Sequence, residues 1–161
     1  MLVPAYVLAT LLATADPTRA VAASGNWAAF DRGRQCEALT RALLPEDRSK
    51  PAALLAISYD RVGRRIGELS VRFRKPLRDG SSVMLTIGSQ PFELLARGQA
   101  AWSRGSAQEA AIVAAIRASG GARVKARDQA GRRMTERFLL AGAPTAIDAA
   151  AAACSRVPVR P

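Results

Sequence analysis

Apolar and polar residues alternate through most of the chain with the period of two that a half-buried strand requires. The pattern is cleanest over Ile66–Lys75, where Leu69, Val71 and Phe73 take one side and Ser70, Arg72 and Arg74 the other. Gln35–Ala42 sets Cys36, Ala38 and Thr40 against Glu37, Leu39 and Arg41. Ala122–Arg127 sets Ala122, Val124 and Ala126 against Arg123, Lys125 and Arg127. Ala52–Tyr59, Val83–Ile87, Gln90–Ala96 and Arg133–Leu140 have strand length, and Gly25–Phe30 makes a first strand that Trp27 anchors in the core. Turn residues separate these runs at Asp31–Arg34, Pro45–Pro51, Asp60–Arg65, Asp79-Gly80 and Asp128–Gly131. Gly88-Ser89 fits a two-residue hairpin opened by glycine, and Pro91 in the returning strand should keep to an edge.

Two stretches break to the helical period. Ser106 and Glu109 have the spacing of a capping box, Ile112, Val113 and Ile116 make a stripe, and Gly120-Gly121 closes the helix, giving about 106–119. The second runs over about 145–155. Thr145 is placed to cap it and Asp148 to complete the box, while Ile147, Ala150, Ala151 and Cys154 share one face. The expected fold is therefore mainly β: an antiparallel β-sandwich of about eight short strands with two α-helices. No internal repeat or linker divides it, so residues 24–161 form one domain.

Residues 2–15 are an uncharged apolar run too short to span a bilayer. Asp16-Pro17-Thr18 breaks it, and Val21-Ala22-Ala23 offers small residues before Ser24. The segment 1–23 reads as a secretory signal cut near Ala23, although no Lys or Arg precedes the apolar run. The competing reading is a buried N-terminal strand or helix of a cytosolic domain. Export sets Cys36 and Cys154, the chain's two cysteines, in an oxidising compartment, and they are expected to pair; two buried free thiols are the alternative. The last helix then clamps the C-terminus onto the N-terminal strands.

Composition narrows the chemistry. The chain has 161 residues and a formal net charge of +11, and only Lys50, Lys75 and Lys125 among its basic residues are lysines. That excess favours anionic partners at low salt. There is no histidine, which removes the commonest general base and metal ligand, and two cysteines alone do not complete a zinc site.

The order of several short motifs resembles the invasion-associated locus B family of bacterial envelope proteins, in its compact alphaproteobacterial form. These are Gly25-Asn26-Trp27 after a leader, the strand carrying Cys36, and the hairpin Leu85–Phe92. Ala101-Trp102 before the helix Ala110–Arg117, and the ending Ala146-Ile147-Asp148 through Cys154, complete the set. The family usually has Gly-Asp-Trp where this chain has Gly25-Asn26-Trp27, and its longer members carry further central cysteines. The resemblance implies a periplasmic or secreted β-sandwich without enzymatic activity, and it supplies no binding residues.

Three functions compete on these residues. The favoured one is a non-catalytic envelope protein that binds a protein partner or an anionic surface, with no cofactor and no metal. Its basic face would be Arg72 and Arg74 from one strand and Arg123, Lys125 and Arg127 from another, provided those strands are neighbours; the plainer alternative is two solvated strand faces. A histidine-independent hydrolase would draw on Asp60, Asp79 or Asp128, but turns favour aspartate for its backbone bonds. A nucleic-acid or polyanion binder would stack bases on Trp27 and Trp102. Both tryptophans are better read as core or rim anchors, and export disfavours nucleic acid as a partner.

Overall fold

The computed structural model describes residues 18–43 and 51–156. The apolar run of the expected leader, most of the Pro45–Pro51 loop (44–50) and the tail 157–161 lie outside the described residues. Among the described residues, ten strands and two helices follow in chain order. They are β1 (Arg19–Ser24), β2 (Trp27–Asp31), β3 (Gln35–Arg41), β4 (Leu54–Asp60), β5 (Ile66–Arg72), β6 (Val83–Ile87), β7 (Gln90–Arg97), β8 (Ala100–Trp102), α1 (Ser106–Arg117), β9 (Gly121–Arg127), β10 (Arg133–Leu139) and α2 (Ala143–Ser155).

The fold is mainly β and antiparallel, as expected. The strands make one continuous sheet in the order β1-β2-β3-β4-β5-β8-β7-β6-β9-β10. The long strand β7 is the join. Gln90–Leu94 pairs with β6, and Leu95–Arg97 pairs with β8. The sheet also returns on itself: just past β3, the Leu43 amide donates to the Arg137 carbonyl of β10 at 2.7 Å. Two strands exceed the expected set. β1 occupies Arg19–Ser24, with Ala23 opposite Ala28 and Ser24 opposite Trp27, so the sheet begins five residues before the expected domain boundary at residue 24. β8 is three residues long, too short to show a period in sequence.

Alternation sends one side of every long strand inward. Leu55, Ile57, Leu69, Val71, Leu85, Ile87, Val124 and Phe138 are each at most 1 % exposed. Burying such side chains stabilises by roughly 1.5–3 kcal/mol apiece. Trp27 is 1 % exposed, and its indole Nε1 donates to the Leu139 carbonyl at 3.0 Å, tying β2 to the end of β10. Pro91 lies on the part of β7 that has a partner on one side only, where its missing N–H breaks no ladder bond.

Both helices are capped differently from expectation, and α2 also starts earlier. α1 begins at Ser106 with Gly105 as its N-cap and no side-chain cap. Glu109 is drawn away, its Oε1 accepting from the Ser103 hydroxyl at 3.0 Å. Ile112, Ala115 and Ile116 are its buried residues, and Val113 is half-buried. α2 begins at Ala143, two residues before Thr145, with Gly142 in the left-handed region at φ 89°. The Thr145–Asp148 box does not form. Instead, the Asp148 carboxylate accepts from the Arg117 guanidinium of α1. The reason is a backbone-to-backbone contact upstream. A Cβ on Gly142 would stand 1.8 Å from the Ser24 carbonyl oxygen, and one on Gly25 would stand 2.3 Å from the Ala141 oxygen. The Asn26 amide donates to that Ala141 oxygen at 3.1 Å. Two glycines thus let the β1–β2 turn and the start of α2 touch, and that contact sets where the helix begins. Ile147, Ala150 and Cys154 face inward as expected, joined by Ala146 and Ala153, while Ala151 is only half-buried.

Candidate anion-binding face

Strand β9 buries Ala122, Val124 and Ala126 and exposes Arg123, Lys125 and Arg127. The Asp128–Gly131 turn then brings β10 back in register. Arg137 lies opposite Arg123, Thr135 opposite Lys125, and Arg133 opposite Arg127. On the other side, β6 sets Thr86 opposite Arg123 and Met84 opposite Lys125. Arg123, Lys125, Arg127, Arg133 and Arg137 therefore share one outer face, with two rungs of arginine directly across from arginine. Like charges directly opposite destabilise a sheet. None of the five has a carboxylate within 4.0 Å among the described residues. Arg127 makes a local bond, its Nη1 donating to the Gly131 carbonyl at 2.9 Å. Arg133 and Arg137 were not among the expected site residues. The signal was there: both stand on the outward positions of a strand joined to Ala122–Arg127 by a short turn.

The structure separates Arg72 and Arg74 from this face. Strands β8, β7 and β6 lie between β5 and β9, so the condition that the two basic strands be neighbours is not met. Arg72 is exposed and stands between Leu54 and Ala100. Arg74 is an ion-pair residue: its Nε and Nη2 donate to Glu136 Oε1 at 3.2 and 3.1 Å. Glu136 is 3 % exposed on the inward side of β10, so the pair ties the chain just past β5 to β10. Alternation assigns a residue to a face but does not name the neighbouring strand.

The aspartates proposed for hydrolysis have local work. Asp60 Oδ1 accepts from the Arg64 amide at 2.8 Å. Asp128 Oδ1 accepts from the Arg132 amide, and Oδ2 from the Arg132 guanidinium, each at 2.9 Å. Burial pushes the Asp128 carboxyl up, but these bonds, with the charges of Arg132 and Lys75, outweigh it and hold the carboxyl below its usual range. Asp79 sits in a turn closed by the Ser81 amide donating to the Arg78 carbonyl. Of the tryptophans, Trp27 is core and Trp102 is half-buried on the sheet surface opposite Ser70 and Leu95. Among the described residues there is no group of three or more Cys, Asp and Glu able to hold a metal ion.

Cys36 and Cys154 form a disulfide across 118 positions, with their Cα atoms 5.6 Å apart. Beside it lies a residue that sequence reasoning left in a turn, Arg61. Its Nη1 donates to the Ala153 and Arg156 carbonyls at 2.7 and 2.6 Å, where the last turn of α2 has orphan acceptors. Its Nε donates to the Gly33 carbonyl at 2.6 Å, and its Nη2 donates to Asp31 Oδ2 at 2.8 Å. One guanidinium thus fastens the end of α2 to the β2–β3 turn. Burial pushes the Asp31 carboxyl up, but the Gly33 amide, Arg61 and Arg19 outweigh it and hold it below its usual range.

The chain matches no protein-family model, no curated protein and no solved structure.

Proposed function

We propose that this is an exported, non-catalytic envelope protein of the invasion-associated locus B type that docks on an anionic surface through the outer face of β6, β9 and β10. The observation that carries the reading is the pair of like-charged rungs, Arg123 across from Arg137 and Arg127 across from Arg133. Each works against the sheet unless an anion lies between the arginines. The disulfide and the motif order quoted above support the export and family parts of the reading. The half-buried surface position of Trp102, away from this face, gives nucleic-acid stacking no support.

A cationic side chain near an anionic bilayer contributes about 1 kcal/mol. The variant with Arg123→Gln and Lys125→Gln should therefore bind vesicles of anionic lipid about 30-fold more weakly. Arg64→Glu, in the β4–β5 turn, should bind much more nearly as wild type. Binding should fall steeply with salt. Equal losses for the two variants, or binding that ignores salt, would refute the assignment of the face. Retention on a protein partner but on no anionic surface would favour a polar protein interface instead.

A further inference from the structure

A second surface carries an inference independent of the basic face. The inward side of β1–β5 is covered by α2, whose Cys154 is bonded to Cys36, and by α1, whose Val113 faces Gly67. No described element packs on the outward side. Its apolar residues Ala28, Leu39, Leu54 and Ala56 are half-buried by their own strand neighbours and are not among those packed against the core.

Register arranges this outward side in three rows. The central row crosses the strands as Ala28, Leu39, Ala56, Ser70, Trp102 and Leu95. On one side runs a basic row, Arg41, Leu54, Arg72, Ala100 and Arg97. On the other runs Phe30, Glu37, Ser58 and Glu68. Arg41 and Glu37 lie on the same strand, two residues either side of Leu39. Arg72 and Glu68 lie on the same strand, two residues either side of Ser70.

We propose that this face is a homodimer interface, with the two-fold axis lying along the central row. Rotation about that axis lays each strand antiparallel over its own copy. Leu39, Ala56 and Trp102 then meet their own equivalents, and the basic row of each protomer falls on the acidic row of the other. Arg41 faces the partner's Glu37, and Arg72 faces the partner's Glu68. Such a contact is isologous and closes at two copies. Each acid is already engaged through Oε1, Glu37 accepting a hydrogen bond from Arg32 and Glu68 ion-paired with Arg65, and a carboxylate has capacity for a second donor on its other oxygen. The central row crosses six strands about 4.8 Å apart and the face is about five residues deep at 3.3 Å each, roughly 24 by 17 Å. That is about 400 Å² per protomer, roughly half of what each partner buries in an interface of standard size, so the dimer is a weak one.

The test uses the full chain, oxidised, in sedimentation velocity from low micromolar to millimolar concentration. Wild type should pass from one chain to two and stop there. Arg72→Glu opposes two acids at that contact, and Glu68→Arg opposes two arginines, so each alone should associate at least tenfold more weakly. An equimolar mixture of the two variants satisfies both contacts in the heterodimer and should recover wild-type association. Recovery also shows that both variants are folded. A wild type that stays monomeric throughout, mass that grows past two chains, or a mixture no better than its components would each overturn the proposal. A monomer with this face covered by another part of the chain or by a different partner falls under the first of these outcomes.

Discussion

Arg61→Met should cost about 3 kcal/mol of unfolding free energy. The guanidinium makes four bonds, three to backbone carbonyls and one to the Asp31 carboxylate. Hydrogen bonds involving a charged group contribute roughly 1.5–3 kcal/mol each, and breaking a buried pair by removing one partner costs roughly 3–5 kcal/mol. The Arg61 side chain is 19 % exposed, so water replaces part of what is lost and the lower end applies. For a domain of this size the shift corresponds to about 6–12 °C in Tm. Guanidinium unfolding of the oxidised protein, followed by the fluorescence of the buried Trp27, gives the number directly. Arg61→Lys should recover less than half, because a single ammonium cannot reach acceptors spread around a planar fork. In the Arg61→Met background, Asp31→Ala should cost at least 1.5 kcal/mol less than in wild type, since contacting residues couple by roughly 0.5–3 kcal/mol. A loss under about 0.5 kcal/mol for Arg61→Met, well below the worth of one charged bond, would refute the claim that this side chain caps α2. So would full recovery by lysine.

Gly142→Ala drives a Cβ into the Ser24 carbonyl at a left-handed position, and should cost at least 3 kcal/mol by the cumulative penalties for strain and overpacking, measured by the same unfolding curve. Asp31, held below its usual range, contributes stability that is fully present above the unfolded value of about 3.9 and is lost as pH falls through the lower folded value. The stability advantage of wild type over Asp31→Asn should therefore be flat near neutrality and shrink below about pH 4; an advantage that grew on acidification would invert the sign of the argument. If the chain is exported and loses a signal peptide, the cut should fall upstream of Arg19 so that β1 survives. Ala13-Thr14-Ala15 before Asp16 has the small-x-small pattern for it. N-terminal sequencing that begins at Ser24 would show that the sheet forms without β1.

Period-two alternation over Ile66–Lys75 and Ala122–Arg127 was enough to read strands and their buried sides, because one face of each strand meets a core and the other meets water. β1 was hidden for a different reason. Arg19–Ser24 is small and alanine-rich, and the same small residues that fit a sheet edge resemble a peptidase recognition site. The start of α2 was placed two residues late because a capping box is local information, whereas the Gly25–Gly142 contact joins residues 117 positions apart. Arg61 escaped notice because a turn arginine carries no mark of the four acceptors that the fold gathers around it. The disulfide was legible, since the chain's two cysteines leave one possible pair.

The basic face was legible in part, and its missing half yields the sharpest distinction between a functional face and a solvated one. Arg137 stands across from Arg123, so Arg137→Glu converts a repulsive rung into an attractive one. Cross-strand charge pairs are worth roughly 0.2–1 kcal/mol, so the variant should be more stable than wild type by up to about 1 kcal/mol. A face that merely meets solvent gains from that change and loses nothing. A face kept basic for an anion should gain the same stability and lose affinity for anionic vesicles by tenfold or more, because a cation is replaced by an anion at about 1 kcal/mol per charge. Stability and binding thus move in opposite directions only if the rung serves a ligand. Unfolding curves and vesicle titration on this one variant settle it: gained stability with unchanged binding would assign these arginines to ordinary surface.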